Sequence, residues 1–265
     1  RHDFSWCRSD SYNSLAMVMM QRSENPDFLN TVNPFIQALI PSDQFRIGWS
    51  GEDFQAVVSQ NNQETFLVYV GAALPLEYAR IIADATTSGF PPSRISISTA
   101  LAAKLKFEKQ MDFIFMVRNR PFPPHQVPSG AAIVQPGDCD HDIEKFLLQH
   151  SPDAAVKPGN PEINFWITVR DAHHNLLAVS AGVTWQSGEK VINSVAVAET
   201  SRRRGFGSLV TLLAGQQHFA QGAKRVGLGV RASNRGALAL YRELGFDDEY
   251  AMSAVRLMNP AQDSH

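Results

Sequence analysis

In the second half of the chain, three mainly apolar runs bounded by polar turns predict strands. The runs are NFWITVRD, LLAVSAGVTW and KVINSVAVA, and polar turns separate them near residues 172–175 and 186–189. Strands joined by such short turns form an antiparallel meander without a crossover helix. Upstream, AAIV (131–134) predicts a short strand, and GDCDHDIEKFLLQH (137–150) predicts a helix with an acid-rich first turn.

A segment with the periodicity of an amphipathic helix follows the meander. Phe206, Leu209, Val210 and Leu213 are spaced at i, i+3, i+4 and i+7, which predicts a helix over residues 205–221 with one face packed on a sheet. The strand KRVGLGVR, a helix over residues 235–244 and a strand over residues 250–258 complete this half. The fold class predicted is α/β with a mixed sheet, antiparallel first and then crossing over through a helix.

The first half repeats part of this order. ETFLVYVG predicts a strand, PLEYARIIADAT a helix with Pro75 in its first turn, and SRISIS a strand, with a further helix and strand over residues 100–117. Aligning residues 100–117 with 239–255 pairs Leu101 with Leu240, Leu105 with Leu244 and Phe107 with Phe246. We interpret the chain as a tandem of two similar domains. The alternative is a chance similarity between two α/β domains.

A proline-rich segment separates the two halves. NRPFPPHQVPSG (119–130) contains four prolines and ends in Ser-Gly, which disfavours a helix or a central strand. We therefore expect a first domain at residues 1–120, a linker at 121–130 and a second domain at 131–265.

Composition excludes several classes of partner. The 265 residues are 44% hydrophobic and carry a formal net charge of -2, so no overall field favours nucleic acid or a polycation. The two cysteines, Cys7 and Cys139, lie far apart and outside metal-ligand spacing, so we expect ordinary thiols, no metal and a cytoplasmic protein. No apolar run is long enough to span a membrane, and the first residues lack the apolar core of a signal peptide.

The stretch SRRRGFGS (201–208) joins the meander to the helix that follows it. The first backbone N–H groups of a helix have no partners within it, and the helix dipole adds positive potential there. Gly205 and Gly207 leave the backbone bare, and charge comes from Arg202, Arg203 and Arg204. These features suit a pyrophosphate. The alternative is a solvated loop, since the turn matches neither a P-loop nor the full dinucleotide fingerprint.

The combination of two motifs resembles the GNAT superfamily of N-acetyltransferases. Its motif order is a strand, an R/Q-x-x-G-x-G/A turn, a helix, a strand and an N-x-x-A-x-x-x-Y-x-x-x-G-F helix. Arg202, Gly205 and Gly207 fill the first pattern. The second is filled by Asn234, Ala237, Tyr241, Gly245 and Phe246. The resemblance covers residues 131–258 and implies the GNAT acyl-CoA N-acyltransferase fold.

The same resemblance implies a cofactor site for acetyl-CoA. Its pyrophosphate would lie on the amides of Arg203, Arg204, Gly205, Phe206, Gly207 and Ser208. Its pantetheine arm would pair with Val195, Ala196 and Val197, where a backbone N–H would face the thioester carbonyl. Tyr241 would protonate the leaving thiolate, unless its ring is simply part of the core. Asn234 would contact the CoA arm, unless it serves only as a helix N-cap.

A general base is not evident. Residues 191–198 contain no acid, although this strand carries one in many members of the family, and the nearest candidates are Glu189 and Glu199. His173 and His174 lie in a predicted turn and are expected at the surface. We therefore expect the amine to lose its proton to water.

The first half lacks the cofactor motifs. Ala102 stands where the second half has Tyr241, and VGAALPLEYAR contains neither arginines before its helix nor a G-x-G. We expect this degenerate copy not to bind CoA but to shape the acceptor pocket.

The function predicted is acetyl transfer from acetyl-CoA to a primary amine of a small molecule or peptide. One alternative is a CoA-binding sensor or interaction module without catalysis, and a less favoured one is a purely structural pair of domains. The sequence does not identify the acceptor, and it leaves the oligomeric state open, with a homodimer as one option.

Overall fold

Twelve strands pair into one mixed sheet with helices on both faces in the computed structural model, which describes residues 20–62, 64–105, 107 and 110–256. The strands are β1 (Gln21–Ser23), β2 (Phe45–Ser50), β3 (Phe54–Gln60), β4 (Thr65–Gly71), β5 (Arg94–Ser98), β6 (Gln110–Arg118), β7 (Ala131–Val134), β8 (Ile163–Arg170), β9 (Leu176–Thr184), β10 (Lys190–Val197), β11 (Val226–Arg231) and β12 (Asp248–Arg256). The α-helices are α1 (Pro34–Leu39), α2 (Pro75–Thr87), α3 (Thr99–Leu105), α4 (Asp140–His150), α5 (Phe206–Ala220) and α6 (Arg235–Glu243). Short 3-10 helices lie at Pro26–Thr31 and Glu199–Ser201. Cys7 and the predicted end of the last strand, residues 257–258, lie outside the described residues.

The structure confirms the α/β fold class and the element order of the second half. β8, β9 and β10 form the predicted antiparallel meander, and α5 connects β10 to the parallel strand β11. The elements before β4 were not predicted. In β2 and β3 most consecutive side chains are buried, because helices or loops cover both faces, so these strands lack the alternation that marks a half-exposed strand.

The order of strands across the sheet reveals an exchange between the halves. It runs β1-β2-β3-β4-β5-β12-β6-β11-β10-β9-β8-β7. The centre of the sheet lies between β12 and β6. Counting outward from it, β5 and β11 occupy equivalent positions on opposite sides, and so do β4 and β10, β3 and β9, β2 and β8, and β1 and β7. Each half has thereby placed its last strand in the sheet of the other: β6 pairs with β11, and β12 pairs with β5.

A pseudo-twofold axis relates the halves and passes through the centre of the sheet. β6 and β12 are antiparallel there, with Phe113 opposite Met252. Residue numbers 113 and 252 differ by 139, as do 101 and 240, the leucines paired in the sequence alignment. The predicted duplication of the order of elements is therefore present in the structure.

The exchanged strands complete both cores. Met116 of β6 lies in the core beneath α5 and α6, and Val255 of β12 lies in the core beneath α2 and α3. At the end of β6 the buried Arg118 donates to the carbonyls of Leu244 (2.7 Å) and Gly245 (3.2 Å), just past α6. Residues 119–128 contain no helix or strand, as expected of a linker. The division into domains at residues 121–130 stays a prediction, since the sheet is continuous between the halves.

One ionisable side chain, on the inner face of α5, is fully buried. The ring of His218 lies 5.0 Å from that of Phe165, and its Nε2 lies 3.2 Å from the carbonyl oxygen of Val191. Burial lowers the pKa of His218 to about 4, because the charged imidazolium would lose its hydration there.

His218 should make the protein sensitive to mild acid. Between pH 6.5 and 4 the unfolded chain binds a proton at this position that the folded chain does not, so stability falls as the pH is lowered. The group alone should remove about 3 kcal/mol between pH 7 and pH 4. Thermal unfolding of His218→Gln should show a smaller loss of Tm on acidification than His173→Gln, a control at an exposed histidine. Equal losses in the two variants would contradict this.

Candidate functional site

The two parallel strands of the second half separate along their length. β10 and β11 pair at Val191–Gly227 and Ile192–Leu228, and beyond these positions β10 pairs only with β9. A bulge between Asn193 and Ala196 marks the point where they part. The result is an opening within the sheet between residues 194–197 of β10 and residues 229–231 of β11.

Side-chain hydrogen bonds fix the bulge. Ser194 has a φ of 49°, in the left-handed region, and its amide donates to Oδ1 of Asn193 (2.9 Å). Its hydroxyl donates to the carbonyl of Val156 (2.6 Å) and accepts from the amide of that residue (3.3 Å). The bulge is thereby attached to the loop between α4 and β8.

Backbone groups of β10 face the opening. The amide of Ala198 donates to the carbonyl of Leu177 on the β9 side (2.8 Å). Successive amides of a strand point to opposite edges, so the amide of Val197 faces the opening. An extended ligand with amide groups, such as a pantetheine arm, can pair there as an added strand.

The opening ends at the first turn of α5. The first hydrogen bond of this helix runs from the amide of Leu209 to the carbonyl of Gly205 (3.0 Å), so the amides of Phe206, Gly207 and Ser208 have no partner within the helix. Gly205 has a φ of 81°, which favours glycine, and a Cβ there would meet no atom within 4 Å. A Cβ on Gly207 would lie 3.1 Å from Leu240, so this turn packs closely on α6.

Three exposed arginines surround these amides. Arg202, Arg203 and Arg204 form no ion pair with any residue that the structure describes, and Arg204 lies 5.3 Å above the ring of Phe206. Unpaired guanidinium groups, unpartnered amides and the positive end of the α5 dipole converge here. The chemistry of this set fits a pyrophosphate.

Tyr241 lies on α6, and Asn234 directly precedes this helix. Tyr241 is buried against α5, with its ring 6.0 Å from that of Phe246 in an edge-on arrangement. Burial raises its pKa to about 12. Asn234 is the N-cap of α6, since its Oδ1 accepts from the amide of Ala237 (3.1 Å). The cap accounts for the carbonyl of this side chain and leaves its NH₂ group as the part able to contact a CoA arm.

A comparison with models of protein families gives a match. Residues 141–246 match the model of the acetyltransferase (GNAT) family. The match places a GNAT domain at residues 141–246. A comparison with curated proteins gave no match.

Solved structures of GNAT proteins resemble both halves of the chain. A GNAT-family protein from Novosphingobium aromaticivorans is 17% identical, with a TM-score of 0.50 over 87% of this chain and 95% of that chain. A GCN5-related N-acetyltransferase from Kribbella flavida is 18% identical, with a TM-score of 0.50 over 87% and 93%. A GNAT acetyltransferase from Colwellia psychrerythraea is 11% identical, with a TM-score of 0.50 over 91% and 100%. At these identities the similarity shows the fold.

Glu189 lies away from the opening of the GNAT domain. It precedes the first residue of β10, and its carboxylate binds Arg225 through both oxygens, with the shortest distances at 2.9 Å. Arg225 also donates to Gln37 of α1 (3.1 Å), so the pair holds the two halves together. The candidate base Glu199 is exposed in the 3-10 turn after β10, and His173 and His174 are exposed in the β8–β9 turn.

The matching region of the first half differs from the GNAT domain in three respects. β4 and β5 stay paired from Phe66–Arg94 to Tyr69–Ile97, without a bulge or an opening. Only residues 72–74 connect β4 to α2, whereas residues 198–205 connect β10 to α5. The short connection is held by Tyr69, which donates to Ala72 (2.9 Å), and Lys104, which donates to Ala73 (2.8 Å). That this copy does not bind CoA stays a prediction.

No group of three or more His, Cys, Asp and Glu side chains in the described ranges is arranged to hold a metal ion. Cys139 is a free thiol. Among the helices of the same ranges, none has the length and apolar character needed to cross a bilayer.

Negative charge on the α5 turn should weaken binding of a CoA ester. We expect Gly205→Glu to weaken acetyl-CoA binding by about 100-fold or more, because it repels the phosphates and occupies their site. Gly222→Glu, at the other end of α5, is a matched control: its φ is 87° and a Cβ there also meets no atom within 4 Å. Isothermal titration calorimetry measures both. Equal affinities in the two variants would contradict the assignment.

Proposed function

We propose that the protein is an acetyl-CoA-dependent N-acetyltransferase that moves an acetyl group to a primary amine. The observation that carries this proposal is the opening between β10 and β11, which ends at the unpartnered amides of the α5 turn. An acyl-CoA has the matching parts, an extended arm with amide groups followed by a pyrophosphate. The membership of residues 141–246 in an acetyltransferase family supports the same reaction.

Each part of the opening has a role in this proposal. The amides of residues 203–208 bind the pyrophosphate, with charge from Arg202, Arg203 and Arg204. Val195, Ala196 and Val197 pair with the pantetheine arm. A backbone N–H of β10 then lies beside the thioester carbonyl, at the level of the bulge. Asn234 contributes its side-chain NH₂ group from the start of α6.

The reaction is direct transfer. The amine nitrogen attacks the thioester carbonyl carbon and forms the C–N bond, the N–H of β10 stabilises the oxyanion, and the C–S bond then breaks to release the thiolate. The amine must lose a proton, and β10 carries no carboxylate to accept it. We therefore assign this proton to an ordered water, and the ion pair with Arg225 leaves Glu189 outside the mechanism.

Tyr241 assists the leaving group. With a pKa of about 12 its phenol stays neutral throughout the physiological range and can donate a hydrogen bond. An ordinary thiol has a pKa of about 8.5, so full transfer of the phenolic proton to the thiolate is uphill. Tyr241 thus stabilises the developing thiolate chiefly as a hydrogen-bond donor, and the final proton comes from solvent.

The absence of an acid from β10 also motivates a second candidate, a CoA-binding sensor without catalysis. Binding of acetyl-CoA with no thiol release across a broad panel of amines would favour the sensor. Thiol release that depends on the amine would favour the transferase. In either case we propose a cytosolic protein that acts on small molecules or peptides, without nucleic acid or membrane.

Removing the phenolic hydroxyl should slow turnover without weakening cofactor binding. We expect Tyr241→Phe to lower kcat by about 10- to 100-fold with acetyl-CoA affinity unchanged, since only the bond to the leaving sulfur is lost. Tyr78→Phe is the matched control in the first half, because Tyr78 is equally buried and its pKa is also raised to about 12. Steady-state thiol release measures both variants, and equal rates would remove Tyr241 from the mechanism.

A further inference from the structure

The opening is accessible from the face of the sheet opposite α5. Val226, Leu228 and Val230 lie in the core beneath α5, so the intervening residues of β11 face the other side. A Cβ on Gly227 would lie 2.5 Å from the ring of Phe115, which closes that side. At Gly229 a Cβ would meet nothing within 4 Å, and the residue is exposed although its strand is interior to the sheet. A molecule can therefore reach the opening over Gly229.

Two opposite charges lie at the edge of this access. Arg231 is on the same face as Gly229, and its guanidinium lies 3.2 Å from the carboxylate of Asp153 in the loop after α4. The side chains are 58% and 72% exposed, so both remain available to a ligand. The bond between Val156 and Ser194 holds this loop against β10. The pair therefore spans the opening from β11 to the loop.

We propose that Arg231 and Asp153 select an acceptor that carries a carboxylate beside its amine, as a free α-amino acid does. This inference rests on the proposed function. A planar guanidinium binds a carboxylate through two parallel hydrogen bonds, and the aspartate attracts the neighbouring ammonium. In an α-amino acid the carboxylate and the ammonium group are about as far apart as the two charged groups of an ion pair. The acceptor thus inserts between the paired side chains, with its nitrogen over Gly229.

The bare backbone at Gly229 lets the nitrogen approach the thioester. A side chain there would occupy the space through which the amine must reach the plane between β10 and β11. Because an exposed ion pair adds little to fold stability, Arg231 and Asp153 can be replaced with the fold intact. Their substitution then reports on recognition.

The test compares α-amino acids with the amines that remain after removal of the carboxylate, such as leucine with 3-methylbutylamine and tyrosine with tyramine. The full chain is assayed by thiol release from acetyl-CoA. We expect kcat/KM to be at least about tenfold higher for the amino acids. Arg231→Gln should raise KM for the amino acids by at least about tenfold and so remove this preference, whereas Asp153→Asn should raise KM for both classes.

Arg120→Gln is the matched control. Arg120 lies two residues after the last residue of β6 and forms a similarly exposed ion pair with Asp247 (2.9 Å). It should leave the preference unchanged. Equal turnover of the two acceptor classes, or a preference that survives in Arg231→Gln, would overturn this inference while the transferase stands. Binding of acetyl-CoA with no turnover of any amine would overturn both the transferase and the inference.

Discussion

The antiparallel pairing of β6 with β12 joins the two halves into one sheet, and the site depends on it. Each of these strands completes the core of the opposite half, as Met116 and Val255 do. β11 pairs with β6 along its whole length, from Val226–Arg118 to Arg231–Phe113. Because the backbone groups on that edge of β11 are hydrogen-bonded to β6, β11 stays in the sheet where its other edge separates from β10. The first half thus supports the opening in the second half.

The two copies differ where a ligand would bind. In the second, the bulge at Ser194 ends the pairing of β10 with β11, and a long connection supplies unpartnered amides and arginines. In the first, β4 and β5 stay paired and a short connection is tied down by side chains. Polar backbone left unpaired within a sheet is costly unless a ligand or solvent satisfies it. The sheet is closed between β4 and β5 and open between β10 and β11, where we propose that a ligand binds.

Much of the second half could be predicted from sequence, because a meander, an amphipathic helix and a glycine-arginine turn are local patterns. The duplication was also visible, through the spacing of Leu101 and Leu240. The strand exchange could not be predicted from the sequence. β6 and β12 have the same local pattern whether each pairs within its own half or with the other half, and only the pairing of Phe113 with Met252 shows which occurs. Asn193-Ser194 interrupts the apolar run of β10 and is the sequence signal of the bulge. The ion pair of Arg231 with Asp153 joins residues far apart in the chain, so no local pattern contains it.

Hydrogen–deuterium exchange with and without acetyl-CoA tests the central claim that the opening and the α5 turn bind one extended ligand. The amides of residues 203–208 and the opening-facing amide of Val197 should exchange more slowly when the ligand is present, because they acquire acceptors. The corresponding segment of the first half, residues 72–74, should be unaffected. Protection of both segments, or of neither, would contradict the account.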